Sequence, residues 1–140
     1  MFLGEFEYSL DDRGRVAIPP RFRDEFKTGL VLARGIDHNI TVYTPEGWQR
    51  LTARLESLPF TQGDVRHLQR AVYARAFEAE LDRQGRVLLP ALLRQYAGIQ
   101  QGVIVAGMND HLELWEPELW AAEQAMLDTQ TSEIAERLHG

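Results

Sequence analysis

The chain has 140 residues and no cysteine, which excludes disulfide scaffolds and thiolate metal sites. Hydrophobic residues make up 44% of the sequence and charged residues 26%, as in an ordinary globular domain. No apolar run approaches the ~20 residues that cross a bilayer, and the first residues lack the basic and apolar regions of a secretory signal. We therefore expect a cytoplasmic protein with no membrane contact.

The net charge of −6 arises entirely in the second half of the chain. Residues 1–70 contain ten basic and ten acidic groups, whereas residues 71–140 contain five basic and eleven acidic groups. All the basic residues except Lys27 are arginines, whose planar fork pairs with phosphate, carboxylate or guanine. The overall acidity therefore leaves room for nucleic-acid binding by a local basic face.

The first predicted element is a strand, indicated by apolar residues at Phe6, Tyr8 and Leu10 that alternate with polar ones. The segments Asp11–Gly14 and Asp82–Gly85 predict tight hairpin turns in which glycine supplies a positive φ. Short strands follow each turn and end at proline, which is favourable at the start of a helix. The remaining paired elements are predicted as short helices at 20–26 and 91–96, and as strand pairs at 30–33 with 40–43 and 103–105 with 112–115.

Longer helices are predicted after each second strand pair. Thr44 and Asp64 are the expected caps of two helices between the copies, and a further helix follows Pro117 and fades near 129–132. Residues 134–140 are expected to be a helical tail or disordered. Apolar faces are formed by Trp48, Leu51, Leu55 and Leu58 in the first of these helices and by Val65, Leu68, Val72 and Ala76 in the second. We assign Trp48, Leu51, Leu55 and Trp120 to the core or to a subunit interface.

These elements occur twice because the sequence contains an internal repeat. Residues 6–23 and 77–94 are identical at nine of eighteen positions, and residues 34–48 match residues 106–120. Each unit of about 45 residues is too small to bury a core alone, so the two copies are expected to share one. We divide the chain into a first repeat at 5–48, connecting helices at 49–75, a second repeat at 76–120 and a C-terminal helix or tail at 121–140.

Enzyme chemistry has little support in the sequence. No serine lies in a nucleophile-elbow motif, no histidines have the H-x-x-x-H spacing, and no phosphate-binding P-loop is present. His38 and His111 are assigned to surface turns. We expect no enzyme activity, cofactor, metal site or small-molecule substrate.

The two turns carry the candidate site. Arg15 and Arg86 occupy the same position directly after each turn, which turn formation alone does not require. Asp11 and Asp82 lie across the turns, where a carboxylate can fix the orientation of the guanidinium. The two copies are expected to be related by a pseudo-twofold axis, an arrangement that suits the groove of double-stranded DNA.

The duplicated L-D-x-x-G-R-V-x-x-P pattern resembles SpoVT-AbrB domains. The tandem arrangement, the Met-Phe-Leu-Gly start, the linker helices and the Leu-Glu-Leu-Trp-Glu-Pro segment resemble the MraZ family of bacterial transcriptional regulators. The resemblance covers about Met1 to Leu127. It implies an α+β fold, mainly β, in which the two repeats form one pseudo-twofold swapped-hairpin β-barrel with flanking helices.

The resemblance also implies a function. It implies a nucleoid-associated regulator, usually a repressor, that binds direct repeats in the promoter of its own cell-division and cell-wall gene cluster as a ring-shaped homo-oligomer. The family's D-x-x-x-R motif falls on Asp11 and Arg15 and again on Asp82 and Arg86. We assign DNA contact to Arg15 and Arg86, backbone anchoring to Arg13 and Arg83, and orientation of the turns to Asp11, Asp82, Gly14 and Gly85.

Alternatives remain open from the sequence. The protein could be an antitoxin-like module that binds a protein partner, although two copies and a short tail count against it. It could also be a ring scaffold without a DNA role. Gln84 stands where the first copy has Arg13, so the second turn is less basic than the first.

Overall fold

A computed structural model describes residues 1–139 of the chain. Eight strands, one 3-10 helix and four α-helices follow one another along the sequence. The strands are β1 (Glu5–Ser9), β2 (Arg15–Ala17), β3 (Leu30–Arg34), β4 (Ile40–Tyr43), β5 (Phe77–Ala79), β6 (Arg86–Leu88), β7 (Gly102–Gly107) and β8 (His111–Trp115). The helices are the 3-10 helix (Pro20–Phe26), α1 (Pro45–Glu56), α2 (Gly63–Tyr73), α3 (Ala91–Ala97) and α4 (Pro117–Leu138).

The two copies exchange strands. The larger sheet has the order β1-β7-β8-β4-β3-β5, so β1 of the first copy pairs with β7 of the second, and β5 of the second copy pairs with β3 of the first. The smaller sheet contains only β2 and β6, which pair antiparallel with Val16 opposite Val87. The α+β class with mostly antiparallel strands is confirmed. A closed barrel is not found among the described residues.

Because of this exchange, the predicted turns do not connect strands that pair with each other. Each turn forms where expected, but β1 and β2 do not pair with each other as a ladder. β1 pairs with β7 and β2 pairs with β6, while the Asp11 amide donates to the Arg15 carbonyl across the first turn.

One core contains side chains from both copies. Val16, Ile18 and Leu32 from the first copy are completely buried in the same cluster as Leu89 and Leu93 from the second. The prediction that the copies share a core is confirmed. Because both halves bury aliphatic side chains in this one core, we expect that neither half folds well without the other.

Three predicted helix boundaries are wrong. Asp64 lies in the first turn of α2, and the N-cap position belongs to Gln62. α1 ends at Glu56, which leaves Leu58 outside it and exposed. α4 does not fade near 129–132 but continues to Leu138, and the Thr129 and Thr131 hydroxyls donate to carbonyls of this helix. Gly140, the last residue of the predicted tail, lies outside the described residues.

Thr44 caps α1 as predicted. Its hydroxyl accepts a hydrogen bond of 3.0 Å from the Gly47 amide, and Pro45 occupies the first turn. The apolar stripe of α1 packs inward through Leu55, while the Trp48 ring contacts Tyr43 and Tyr73 edge-on. None of the helices in residues 1–139 is long and apolar enough to cross a membrane.

Candidate nucleic-acid interface

Asp11 organises the first turn. One oxygen of its carboxylate accepts hydrogen bonds of 2.9 Å from the backbone amides of Arg13 and Arg15. The Gly14 amide donates to the Asp11 carbonyl at 3.1 Å, and Gly14 has a φ of +79°, a conformation that glycine adopts at no steric cost. The turn is therefore closed by the aspartate side chain as well as by the backbone.

The other carboxylate oxygen of Asp11 holds the arginine. Arg15 Nε lies 2.7 Å from Asp11 Oδ2, a short charge-assisted hydrogen bond. In the second copy, Arg86 Nε lies 2.9 Å from Asp82 Oδ2. The two turns are thus built alike, and in each the carboxylate fixes its own arginine as the sequence predicts.

The structure also joins the two turns, which the sequence did not predict. Arg86 Nη1 lies 3.5 Å from Asp11 Oδ2, and Arg15 Nη1 lies 3.9 Å from Asp82 Oδ2. The pairing of β2 with β6 brings the four groups together from the two copies. All four side chains keep between 25% and 33% of their surface exposed, so the cluster is ordered yet open to a ligand.

The hydrogen bonds to Asp11 stabilise its ionised form. The Arg15 backbone amide makes the largest contribution. Together with the Arg15 side chain and the Arg13 amide, it outweighs desolvation, which acts to raise the pKa. The net effect lowers the pKa of Asp11 from 3.8 to about 2. The corresponding bonds from Arg86 and Gln84 lower the pKa of Asp82. Both carboxylates are therefore ionised throughout the physiological pH range.

The first testable prediction concerns this pKa. Since the folded-state pKa of Asp11 lies below its ordinary value, the carboxylate stabilises the turn above pH 3.8, and this stabilisation is lost as the pH falls through about 2. An NMR titration of the Asp11 carboxyl carbon should give a midpoint well below 3.8. In Arg15→Ala the midpoint should rise but stay below 3.8, because the backbone amide remains. A midpoint at or above 3.8 in the unmodified protein contradicts the geometry.

Arg13 and Arg83 do not occupy equivalent positions. Both are exposed, but Arg13 is the third residue of its turn, where the second copy has Gln84, and Arg83 is the second, where the first copy has Asp12. The backbone amides of Arg13 and Gln84 make matching bonds to the turn aspartates. The two turns therefore present their additional positive charge in different places.

Two further arginines, which are not predicted as site residues from the sequence, support the turns. Arg23 Nε donates to the Ile18 carbonyl at 2.8 Å, and Arg94 Nε donates to the Leu89 carbonyl at 3.0 Å. Each guanidinium lies against the turn of the other copy: Arg23 against Gly85 and Arg94 against Gly14. One signal in the sequence could have identified them: when residues 6–23 are aligned with 77–94, both segments end in an arginine.

A second prediction follows from this close approach. An alanine at Gly85 must adopt a φ of +76°, which costs about 1–2 kcal/mol, and its Cβ would also press on the Arg23 guanidinium. Gly98 has a similar φ of +70° with open space around it, so Gly98→Ala is the matched control. We expect Gly85→Ala to lower the free energy of unfolding in urea by more than Gly98→Ala. An equal or smaller loss would show that Arg23 moves aside freely.

His111 does not lie in a surface turn, so that prediction is wrong. It is half-buried at the start of β8, its Nδ1 lies 2.6 Å from Asp110 Oδ1, and its ring stacks on Tyr43. Burial acts to lower the pKa of His111, but Glu113 and Asp110 outweigh it and raise the pKa. His38 is exposed in the turn between β3 and β4, as expected. Residues 1–139 contain no group of three or more histidines and carboxylates placed to hold a metal ion.

The repeat is also the unit that known proteins share with this chain. The family model described as "MraZ protein, putative antitoxin-like" matches residues 1–71 and again residues 72–140. The chain belongs to the MraZ family. Several relatives are similar over almost their whole length and bear the name transcriptional regulator MraZ.

The MraZ relative from Thermomicrobium roseum is 46% identical over 138 residues, which cover 99% of this chain and 97% of the relative. That from Lactiplantibacillus plantarum is 43% identical over 138 residues, covering 99% and 98%. That from Dehalococcoides mccartyi is 43% identical over 141 residues, covering 100% and 99%. The family resemblance stated from the sequence is confirmed.

Proposed function

We propose that this chain is a sequence-specific DNA-binding transcriptional regulator, acting as a repressor. The observation that carries the proposal is the crossed cluster of Asp11, Arg15, Asp82 and Arg86. Its two guanidinium groups are held by carboxylates, remain partly exposed and come from two turns of the same build. The names of the relatives support the same class of function.

The role of each residue follows from its chemistry. Arg15 and Arg86 contact base edges or phosphates in the groove, because a preorganised guanidinium loses little freedom on binding a planar pair of acceptors. Arg13 and Arg83, exposed in the same turns, anchor the DNA backbone by neutralising phosphates. Asp11, Asp82, Gly14 and Gly85 keep the turns in shape.

The proposal also covers the roles of the chain's segments, its location in the cell, its DNA target and its assembly. Residues 5–48 and 76–120 are the two swapped DNA-binding repeats, 49–75 connect them, and 121–140 form the C-terminal helix or tail. The protein acts in the cytoplasm at the nucleoid, on direct repeats in the promoter of its own cell-division and cell-wall gene cluster. Several copies in a ring place their turns on successive repeats, which raises avidity by about 10²–10⁴ without any new contact.

A fluorescence-anisotropy titration tests the proposal. A labelled fragment from upstream of the gene is titrated at several salt concentrations, with a scrambled fragment of the same composition as competitor. We expect binding that weakens steeply with salt and survives the competitor. Absence of binding at low salt, with protein shown to be folded, would overturn the proposal.

One observation favours a second candidate. The family model is described as antitoxin-like, which allows a protein partner in place of DNA at the same turns. In that case the arginines pair with carboxylates of the partner. Co-purification of a small protein that is lost on replacement of Arg15 and Arg86, together with no DNA binding, would support this candidate.

A further inference from the structure

The larger sheet has different layers on its two faces. One face belongs to the shared core, and α1 and α2 pack over the other, against β3 and β4. Successive residues of a strand point to opposite faces, and Leu112 and Leu114 of β8 enter the core. His111 and Glu113 alternate with them, and Thr41 of β4 is paired directly opposite Glu113. The face beneath the two helices therefore carries polar side chains.

The helices cover this polar face with aliphatic side chains, and a cavity of about 250 Å³ lies between the two layers. Its volume is just below the ~300 Å³ at which sites for drug-sized ligands begin, so it suits a smaller molecule. The sheet side of the cavity includes Thr41, His111 and Glu113. The helical side is lined by Leu51 and Leu55 of α1 and by Leu68 and Val72 of α2.

Two groups on the sheet side can accept further hydrogen bonds. Glu113 Oε1 accepts a bond of 2.9 Å from Trp115 Nε1, whereas Glu113 Oε2 lies 3.9 Å from His111 Nε2, too far for a hydrogen bond. The Thr41 hydroxyl donates to the Ala33 carbonyl at 3.1 Å, which leaves the lone pairs of its oxygen for a ligand. These two acceptors lie opposite each other on neighbouring strands, which suits a ligand with two N–H donors.

The charges around the cavity favour a cation. Burial acts to raise the pKa of Glu113, but the donors around it, His111 first, outweigh burial and lower the pKa, so the carboxylate is ionised at neutral pH. His111 Nδ1 lies 2.6 Å from Asp110 Oδ1, so even a protonated His111 faces two carboxylates. Arg34 and Asp37, which also line the cavity, contribute opposite charges. One negative charge therefore remains without a counter-charge.

A buried amide beside the cavity has no hydrogen-bond partner among residues 1–139. Asn39 is 1% exposed, and neither the oxygen nor the nitrogen of its side chain is hydrogen-bonded in this part of the chain. The amide lies against Gly35 and helps to lower the pKa of Glu113, and both of these residues line the cavity. Burial of an unpaired amide is unfavourable, so a polar ligand that pairs with it would be stabilised.

We propose that this cavity binds a small planar cation that joins an apolar ring to an amidine-type N–C–N edge. Glu113 Oε2 and Thr41 Oγ1 accept the N–H groups of that edge, and the aliphatic side chains of α1 and α2 cover the ring. Arylamidines and amino-substituted nitrogen heterocycles have this build. The exposed residues Ile36 and Asp37 of the turn between β3 and β4 border the cavity and give access to it. The ligand is bound without being transformed, and the site is independent of DNA binding by the turns.

Water is the competing occupant of the cavity. A few water molecules at about 30 Å³ each would fit the volume and would hydrogen-bond Glu113 and Thr41. Water gains nothing from the leucine and valine side chains of the helical side, whereas the ring of the proposed ligand packs against them. A molecule with both an apolar ring and a donor edge therefore matches more of the lining than water does.

A titration of the ¹⁵N-labelled full chain with benzamidine, followed by NMR, tests the proposal. We expect a Kd of about 1 mM or below, with amide shifts concentrated at lining residues such as Gly35, Thr41 and Val72. Benzoate has a carboxylate in place of the donor edge, and methylguanidine lacks the ring. Each should bind about tenfold more weakly or worse, because each matches only one side of the cavity.

Three variants separate the carboxylate from the apolar lining. Glu113→Gln keeps an acceptor for Trp115 but removes the charge, and should weaken benzamidine binding about tenfold or more. Val72→Phe fills the cavity from the helical side and should abolish binding while leaving every polar group in place. Glu7→Gln makes the same charge change at an exposed position of β1 and should leave the Kd unchanged.

Several outcomes would overturn the proposal. Absence of shifts at 5 mM benzamidine, at about five times the expected upper Kd, would leave the cavity to water. Shifts spread along the acidic helix α4 would show attraction to surface charge only. Equal binding of benzoate, or unchanged binding in Glu113→Gln, would remove the donor edge from the ligand class. If Val72→Phe loses its circular dichroism spectrum, Val72→Ile adds a single methyl group in its place, and unchanged binding there would remove the cavity from the site.

Failure of this inference and failure of the proposed function are distinguishable. The NMR titration contains no DNA, and the anisotropy titration contains no benzamidine. Loss of benzamidine binding in Glu113→Gln with DNA binding intact would support the cavity as a separate site.

Discussion

Replacing Arg15 and Arg86 together by alanine is expected to weaken promoter DNA binding by about a hundredfold or more. Each well-oriented arginine contact to a base is worth about 1–3 kcal/mol, and the two side chains are equivalent members of one cluster. The change also leaves Asp11 and Asp82 without their cationic partners, so two carboxylates then face the phosphates. Anisotropy titrations at matched salt measure the loss.

The salt dependence of the same titrations identifies what the arginines contact. If Arg15 and Arg86 bind phosphates, the slope of log K against log salt should fall by about two in the double variant. If they bind bases, the slope stays and discrimination against the scrambled fragment is lost. Lys27→Ala with Arg75→Ala removes the same charge outside the two turns and should change affinity far less. Equal losses in the two double variants would show that only net charge matters.

The sequence allowed much of the fold to be predicted because the signals were local. Alternation of apolar residues located β1, and the proline after each short strand located the 3-10 helix and α3. The exchange of strands between the copies could not be predicted from local patterns. The alternation of apolar residues in β1 is the same whether the strand pairs with β2 or, as observed, with β7. Only the shared core decides between them.

The candidate site shows the same division. The aspartate of each turn, its glycine and its arginine were predicted from four or five consecutive residues. The crossed ion pairs between Arg86 and Asp11 join residues 75 apart, so they depend on the pairing of β2 with β6. Arg23 and Arg94 were missed for the same reason, because each touches the turn of the opposite copy.

The prediction that His111 lies in a surface turn failed for a different reason. A histidine next to an aspartate in an Asn-Asp-His segment has the composition of a turn, and Asn109 does adopt the positive φ of one, at +70°. The strand begins at His111 itself, and Tyr43 and Glu113 then surround the ring. Turn composition located the turn but not the residue at which it ends.

The second large effect is expected in the core beneath the turns. Leu93 in α3 occupies the position that Phe22 has in the first copy, and it is completely buried. Because of this burial, Leu93→Ala should lower the free energy of unfolding by about 2–5 kcal/mol. The cost combines the lost burial of the side chain with the cavity that it leaves. Urea unfolding followed by circular dichroism measures it.

The neighbouring leucine supplies a matched control for that experiment. Leu92 is 47% exposed on the same helix, so Leu92→Ala should change the free energy of unfolding by no more than about 0.5 kcal/mol. The same chemical change one residue apart thus separates core packing from helix propensity. Comparable losses at the two positions would show that α3 does not face the shared core as described. Because Arg94 follows Leu93 directly and lies against Gly14, Leu93→Ala should also loosen the first turn, and DNA affinity should fall while Arg15 is still present.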